Sequence, residues 1–272
     1  MPAILRIPGA HISGPPAPPP DARLTNGSLL LVDPSHPAVQ WSRSATPGTT
    51  IPNLAAGVGS PAVEVSLFST ATDPTHARIQ VLPSGSVHLD TSQTVDVLNE
   101  RVGLSIPQTL RDYFFANAAH SYYVGLAVDI TRVGATGQTV GFMAGIFQTA
   151  VYGNTMQVAI GMLNTGALAA NPSSSSPDRL GFTTATAGRT AWGAVSAAKT
   201  ALTGPASSYV AAAGPFNGAA VNRSPSFVLR SLYVEDLTVS GRAHAAVAAL
   251  DKAATERAAT RWAADPAPTP LA

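Results

Sequence analysis

Hydrophobic and polar residues alternate with a period of two in several short stretches bounded by turn-forming residues. Ala62-Val63-Glu64-Val65-Ser66-Leu67-Phe68 keeps that period, which sends successive side chains to opposite faces of a strand. Ser28-Leu29-Leu30-Leu31-Val32 is a short apolar run stopped by Asp33-Pro34, and it predicts a second strand. Arg78 to Leu82 and Ser86 to Asp90 flank Pro83-Ser84-Gly85 and predict a hairpin with a short turn. Tyr122 to Ile130 predicts a longer, buried strand, and Phe227 to Leu237 a long late one. Ala144 to Tyr152 and Thr155 to Leu163 flank Gly153-Asn154, a pair suited to a type II′ turn.

Helical signals are few. Leu104 to Asn117 predicts one short helix around Gln108 to Phe115, and the Ala-rich Ala191 to Leu202 fits either period. Ser240 is placed to cap a helix from Arg242 to Trp262, with Val247, Leu250, Ala254 and Trp262 on one face. Strands at roughly ten-residue spacing predict a mainly β protein, an antiparallel β-sandwich of the jelly-roll kind. The expected organisation is a Pro-rich arm over 1–23, the sandwich over 24–240, the helix over 241–263 and a Pro-rich tail over 264–272. Gly14-Pro15-Pro16-Ala17-Pro18-Pro19-Pro20 and Asp265-Pro266-Ala267-Pro268-Thr269-Pro270 favour polyproline II. Such ends hold a fixed position only against a surface, and a neighbouring subunit is the expected one.

Composition narrows the function. Charged residues are 11% of the chain, less than half the usual share of about 25%, and the shortage is uneven. Val133 to Pro177 contains no Asp, Glu, Lys, Arg or His, and only Asp178, Arg179, Arg189 and Lys199 follow before Asn222. A charge-poor surface invites association, so partner chains are expected to cover it, although compositional bias toward Ala and Gly accounts for part of the pattern. Net charge is +1, with lysine only at 199 and 252, so no polybasic stripe grips nucleic acid. No apolar run is long enough to span a bilayer. With no cysteine there is no disulfide framework, thiolate zinc site or thiol nucleophile. The start, Met1 to Pro8, lacks the apolar stretch and cleavage site of an export signal.

Candidate chemistry is sparse. Gly57-Val58-Gly59-Ser60-Pro61-Ala62 fits a permissive dinucleotide pattern but precedes a strand, and Pro61 disfavours the helix start that would hold a phosphate. His88 and Asp90 share a strand face and make half of a metal site, with no third ligand nearby in sequence. Glycoside hydrolysis needs two carboxylates on one side of a sugar-binding cleft. Glu235 and Asp236 are adjacent on a strand and therefore point to opposite faces, while Glu64 stands alone. Trp41, Trp192, Tyr152 and Tyr209 could stack on sugar rings, yet a single aromatic more often packs against a sheet or an interface. No catalytic, cofactor-binding or metal-binding residue is therefore assigned, no cofactor is expected, and the chain is read as a non-enzyme.

The hairpin Arg78 to Asp90 and the strand His120 to Arg132 resemble the middle of concanavalin A-like and laminin G-like jelly rolls. Tyr233-Val234-Glu235-Asp236-Leu237-Thr238-Val239-Ser240-Gly241-Arg242, running into an Ala-rich helix, resembles the closing strand and C-terminal helix of lectin-like proteins of tailed bacteriophages and prophages. That resemblance covers residues 60–260 and rests on strand patterning; no catalytic or calcium-ligating residue of those families can be placed. It implies a structural virion protein, in the tail or tail tip, with lectin-like attachment to the host. Its expected partners are other virion subunits, copies of itself and a host-surface glycan, without nucleic acid or membrane insertion. Assembly in the host cytoplasm and release by lysis would follow. A capsid decoration protein or head fibre of the same fold, a glycan-active enzyme and a soluble carbohydrate-binding module are the alternatives.

Overall fold

The computed structural model describes residues 21–95, 100–134, 141–147, 156–162, 168–170, 178–180, 190–198, 209–213 and 225–272. The chain begins with β1 (Ser28–Val32), β2 (Thr50–Pro52), β3 (Glu64–Ser69), β4 (Ala77–Val81), β5 (Val87–Thr91) and β6 (Val102–Ser105). Helix α1 (Gln108–Ala116) leads into β7 (Ser121–Arg132), β8 (Gly141–Phe147), β9 (Met156–Met162) and β10 (Leu168–Ala170). There follow β11 (Asp178–Leu180), β12 (Thr190–Ala198), β13 (Tyr209–Ala213) and β14 (Ser226–Asp236), then α2 (Leu237–Ser240) and α3 (His244–Trp262). Two seven-stranded sheets result. One runs β11-β12-β7-β14-β5-β4 with β1 also on β14, and the other runs β10-β9-β8-β13-β6-β3-β2. Every pairing between named strands is antiparallel, as expected for a β-sandwich.

The main core lies between the sheets. Val124, Leu126, Val128 and Ile130 of β7 and Phe227, Leu229, Leu232 and Val234 of β14 meet Val65, Leu67, Val102 and Leu104 of the opposite sheet. Helix α1 closes this layer by burying Leu110 and Phe114. A smaller core lies on the outer face of the first sheet, where Tyr123, Ala127 and Tyr233 pack against Val247, Ala248, Ala258 and Trp262 of α3. The first sheet is therefore covered on both sides, and β14 is buried at all 11 of its positions. Its near-continuous burial replaces the in–out alternation that a solvent-facing sheet would show.

Strand β14 organises that sheet. Phe227 to Leu229 pair with β5 and Leu232 to Glu235 pair with β1 along one side, while β7 runs along the other. Two irregularities interrupt the β7 ladder. Leu229 lies opposite Val128 and Ser231 opposite Ala127, so Arg230 is an extra residue on β14. Ser226 lies opposite Arg132 and Phe227 opposite Ile130, which makes Thr131 an extra residue on β7. Such bulges turn a side chain away from the ladder. Both do so on the face that α3 covers.

Several expectations shift. Ala191 to Leu202 resolves as strand β12 across its described part rather than helix. The C-terminal helix starts at His244 after Ala243, without a side-chain cap. Asp236, not Ser240, is the capping residue: its carboxylate accepts from Thr238 N and Val239 N and starts the single turn α2. The buried face of α3 carries His244, Val247, Ala248, Asp251, Thr255, Ala258 and Trp262, whereas Leu250 and Ala254 are only half-buried. The face rotates because the helix covers a polar network as well as apolar surface. Residues 1–20 of the predicted arm and the Gly153-Asn154 turn lie outside the described residues.

The C-terminal tail folds back on its own sandwich. Asp265 accepts from Ser84 N and Ser84 Oγ at 2.9 and 2.7 Å and pairs with Arg230. Farther on, Arg78 Nη2 donates to Thr269 O at 2.8 Å, and Leu271 N donates to Asp90. The side chains of the sheet satisfy the exposed main chain of a segment that its prolines keep out of any ladder.

Candidate functional site

Between the two anchors of the tail lies a cleft of about 550 Å³, lined by Asp129, Thr131, Val228, Arg230, Trp262 and Asp265, with Pro266 to Pro268 forming one wall. Its volume falls in the range usual for small-ligand sites. Arg230, swung out by its bulge, forms the floor. Its Nε donates to Asp129 Oδ2 at 2.9 Å, Nη1 pairs with Asp265, and the guanidinium lies 5.5 Å from the Trp262 ring centroid. Trp262 is held in turn by its Nε1–H donating to Ser35 Oγ at 2.8 Å. With the ring only 4% exposed, it is a wall of the cleft and not a stacking platform. The rim mixes Pro266 and Pro268 with the 19%-exposed side chain of Asp129 and the hydroxyl of Thr131, above a buried Val228.

Thr131 links the cleft to His88. The Nδ1 of His88 lies 2.8 Å from Gln80 Oε1, and its Nε2 lies 2.9 Å from Thr131 Oγ1. An amide oxygen only accepts, so the proton sits on Nδ1 and Nε2 takes the threonine hydroxyl. Burial pushes the imidazole down to about 4; Asp90 opposes the shift, and Arg78 and Arg132 reinforce it. Asp90 shares the face with His88, as expected, but accepts from Arg78 Nε at 2.9 Å and from Leu271 N. Neither residue presents lone pairs jointly to an ion. Among the described residues, no group of three or more metal-ligating side chains converges.

A second polar network sits under the start of α3. Arg23, expected in the arm, is 3% exposed and donates from Nη1 to Asp251 Oδ1 at 2.9 Å and from Nη2 to Asp21 Oδ2 at 2.8 Å. Burial opposes its charge, but Asp21 and Asp251 outweigh that and raise its pKa. Tyr123 OH donates to Asp251 Oδ2 at 2.9 Å, and burial together with Asp251 keeps the phenol protonated. Glu235, fully buried, accepts from Arg242 Nε at 2.8 Å and from Tyr233 OH.

The other sequence candidates are dispersed. Glu235 and Asp236 point to opposite faces, as their adjacency required. Asp236 Oδ2 accepts from Tyr113 OH at 2.8 Å and pairs with His120 Nδ1 at 2.6 Å. Burial and Asp236 together raise the Tyr113 pKa. Glu64 is exposed at the start of β3. Trp41 packs against the main core and donates from Nε1 to Pro34 O at 3.1 Å. Trp192 and Tyr209 are strand residues whose side chains lie outside the description, as does all of Tyr152. Gly57 takes a positive φ of 76° in a turn, so the glycine-rich stretch serves chain reversal. Residues passed over in the sequence, Asp129, Arg230 and Asp265, come together to line this cleft. Their one visible sign is the single arginine inside the apolar run Phe227 to Val234.

No family model matches the sequence, and no curated protein matches it. Among solved structures, the chain is similar to Trypanosoma rangeli sialidase in complex with 2,3-difluoro-KDN. That match has a TM-score of 0.38 and 11% identity over 82% of this chain and 33% of the other. It is also similar to the binding domain of Botulinum neurotoxin DC in complex with rat synaptotagmin II. There the TM-score is 0.44 and the identity 10%, over 84% of this chain and 52% of the other. The chain thus spans about a third of the sialidase and about half of the toxin domain. The likeness is one of coarse β architecture.

Proposed function

We propose that this chain is a non-enzymatic structural subunit of a tailed-phage particle, placed in the tail or its tip, that attaches to a surface glycan through the cleft beneath its C-terminal tail. The observation that carries the binding role is the floor of that cleft. Asp129 and Asp265 are bridged by one arginine through Oδ2 of each, so neither carboxylate stands unpaired as the proton donor or nucleophile that a glycosidic bond requires. What remains is a rim of acceptors, a hydroxyl and proline faces, suited to the edge and face of a sugar ring. The virion assignment rests on the resemblance of residues 78–90, 120–132 and 233–242 to lectin-like phage proteins. A capsid decoration or head-fibre position is the alternative location.

A hydrolytic reading draws on one arrangement. The 28%-exposed His120 imidazole is oriented through Nδ1 by the buried Asp236 carboxylate, as a general base would be. Among the described residues no hydroxyl nucleophile meets its Nε2.

The test has two parts. Mass spectrometry of purified particles should find the chain at stoichiometric level, and its absence would remove the virion role. Binding of the purified chain to host-surface polysaccharide should weaken by roughly tenfold in Asp129→Ala. Equal binding by that variant would remove the cleft, and polysaccharide cleavage abolished by His120→Ala would favour the enzyme.

A further inference from the structure

The groove that holds residues 269–272 reads a peptide by its main chain. Thr269 O accepts from Arg78 Nη2, Leu271 N donates to Asp90, and Leu271 O accepts from Arg132 Nη1. Ala272 O accepts from Ser92 Oγ at 2.6 Å and from Gln93 N at 3.0 Å, with Thr94 Oγ1 at 3.3 Å. All of these contacts engage backbone atoms of the tail, so the groove has the chemistry of a peptide-binding site whose present ligand is its own chain. One of its walls is incompletely satisfied. Arg132 Nε is buried without a partner beside the bound segment, and Thr91 Oγ1 is likewise unpartnered on the inward face of β5.

Between the anchors at Asp265 and Thr269 to Ala272 run Pro266, Ala267 and Pro268, none of which makes a backbone bond in a ladder. A proline-spaced tether is stiff and extended at about 3.1 Å per residue, and it resists folding back more than a flexible one. A tail that reached across to a neighbouring copy would make the same bonds at the same sites. Exchange of an identical element between copies needs no new contact surface. We propose that the groove formed by Arg78, Asp90, Ser92 to Thr94 and Arg132 receives residues 269–272 of a second copy of this chain when copies are concentrated in an assembly. This goes beyond the adhesive role and does not depend on it, because purified chain alone reports on it.

The absence of cysteine makes the test direct. Two full-length variants, Ser92→Cys and Ala272→Cys, are given tags of different mass, mixed at about 1 mM and oxidised; this matches the effective concentrations of short tethers. A disulfide between the two variants joins the groove of one copy to the tail of another. The expected result is a mixed dimer in roughly tenfold excess over either homodimer, suppressed by excess peptide of residues 266–272. Mixed dimers no more abundant than homodimers, or unaffected by the peptide, would overturn the exchange. A labelled peptide of residues 266–272 adds an independent reading on the unmodified chain. Its saturable binding, weakened in Arg132→Gln, supports the groove; no binding overturns it.

Discussion

The Asp251 carboxylate of α3 fills the space that a side chain on Gly125 of β7 would occupy. A Cβ at Gly125 would lie well inside contact with Asp251 Oδ2 and 2.8 Å from Tyr123 OH. Gly125 therefore lets the helix approach the sheet closely enough for Asp251 to meet both Tyr123 and Arg23. Gly125→Ala should cost about 1–3 kcal/mol by overpacking. In urea unfolding, the double variant Gly125→Ala/Asp251→Ala should lose less than the sum of the two single changes.

Arg242 and Glu235 make a second testable pair. Glu235 is fully buried, and Arg242 and Tyr233 supply its hydrogen bonds. Arg242→Ala strands a buried carboxylate and should cost about 3–5 kcal/mol. The paired change Arg242→Met/Glu235→Leu, which leaves no orphan charge, should recover most of that loss in the same unfolding measurement.

His88 predicts a pH dependence with a definite sign. Its folded value of about 4 lies below the ordinary value of 6.5 for an unburied histidine, so the unfolded chain binds the proton more readily. The stability it contributes is complete above pH 6.5 and is lost as pH falls toward 4. The slope from this group is at most about 1.4 kcal/mol per pH unit. His88→Gln should flatten the dependence of the melting temperature over that interval; an unchanged slope would dismiss the assignment.

Asp265 ties the tail to the sheet and closes the cleft beside Trp262. Asp265→Asn should release that end of the tail and admit water to the indole. Tryptophan emission should then shift to the red, and quenching by acrylamide should rise, while Trp41→Phe in the same background isolates most of the change at Trp262. No shift in that pair would place the tail's anchor elsewhere.

The elements that were legible in the sequence are those with one wet face or a sharp boundary. β1 stops at Asp33-Pro34, the β4–β5 hairpin turns at Gly85 with φ 100°, and α1 matches its periodic run within a residue. Strand β12 was ambiguous because Ala and Gly carry almost no period. The cleft was not legible because its parts are remote: Arg230 lies 101 residues from Asp129 and 35 from Asp265, and a bulge aims it. Nothing in local spacing marks a residue whose direction depends on register. The opposite orientations of Glu235 and Asp236 were legible, since adjacency on a strand alone decides them.

The place of β14 in its sheet has a consequence for synthesis. This strand is made after every other described strand, yet β1, β5 and β7 all lie against it. The earlier strands cannot close their sheet until residues 226–236 have emerged, so the nascent chain must carry the apolar surfaces that meet β14 uncovered until then. Stalled or truncated products ending before Ser226 should therefore engage chaperones or aggregate, and folding should be a single late event that follows the emergence of one strand.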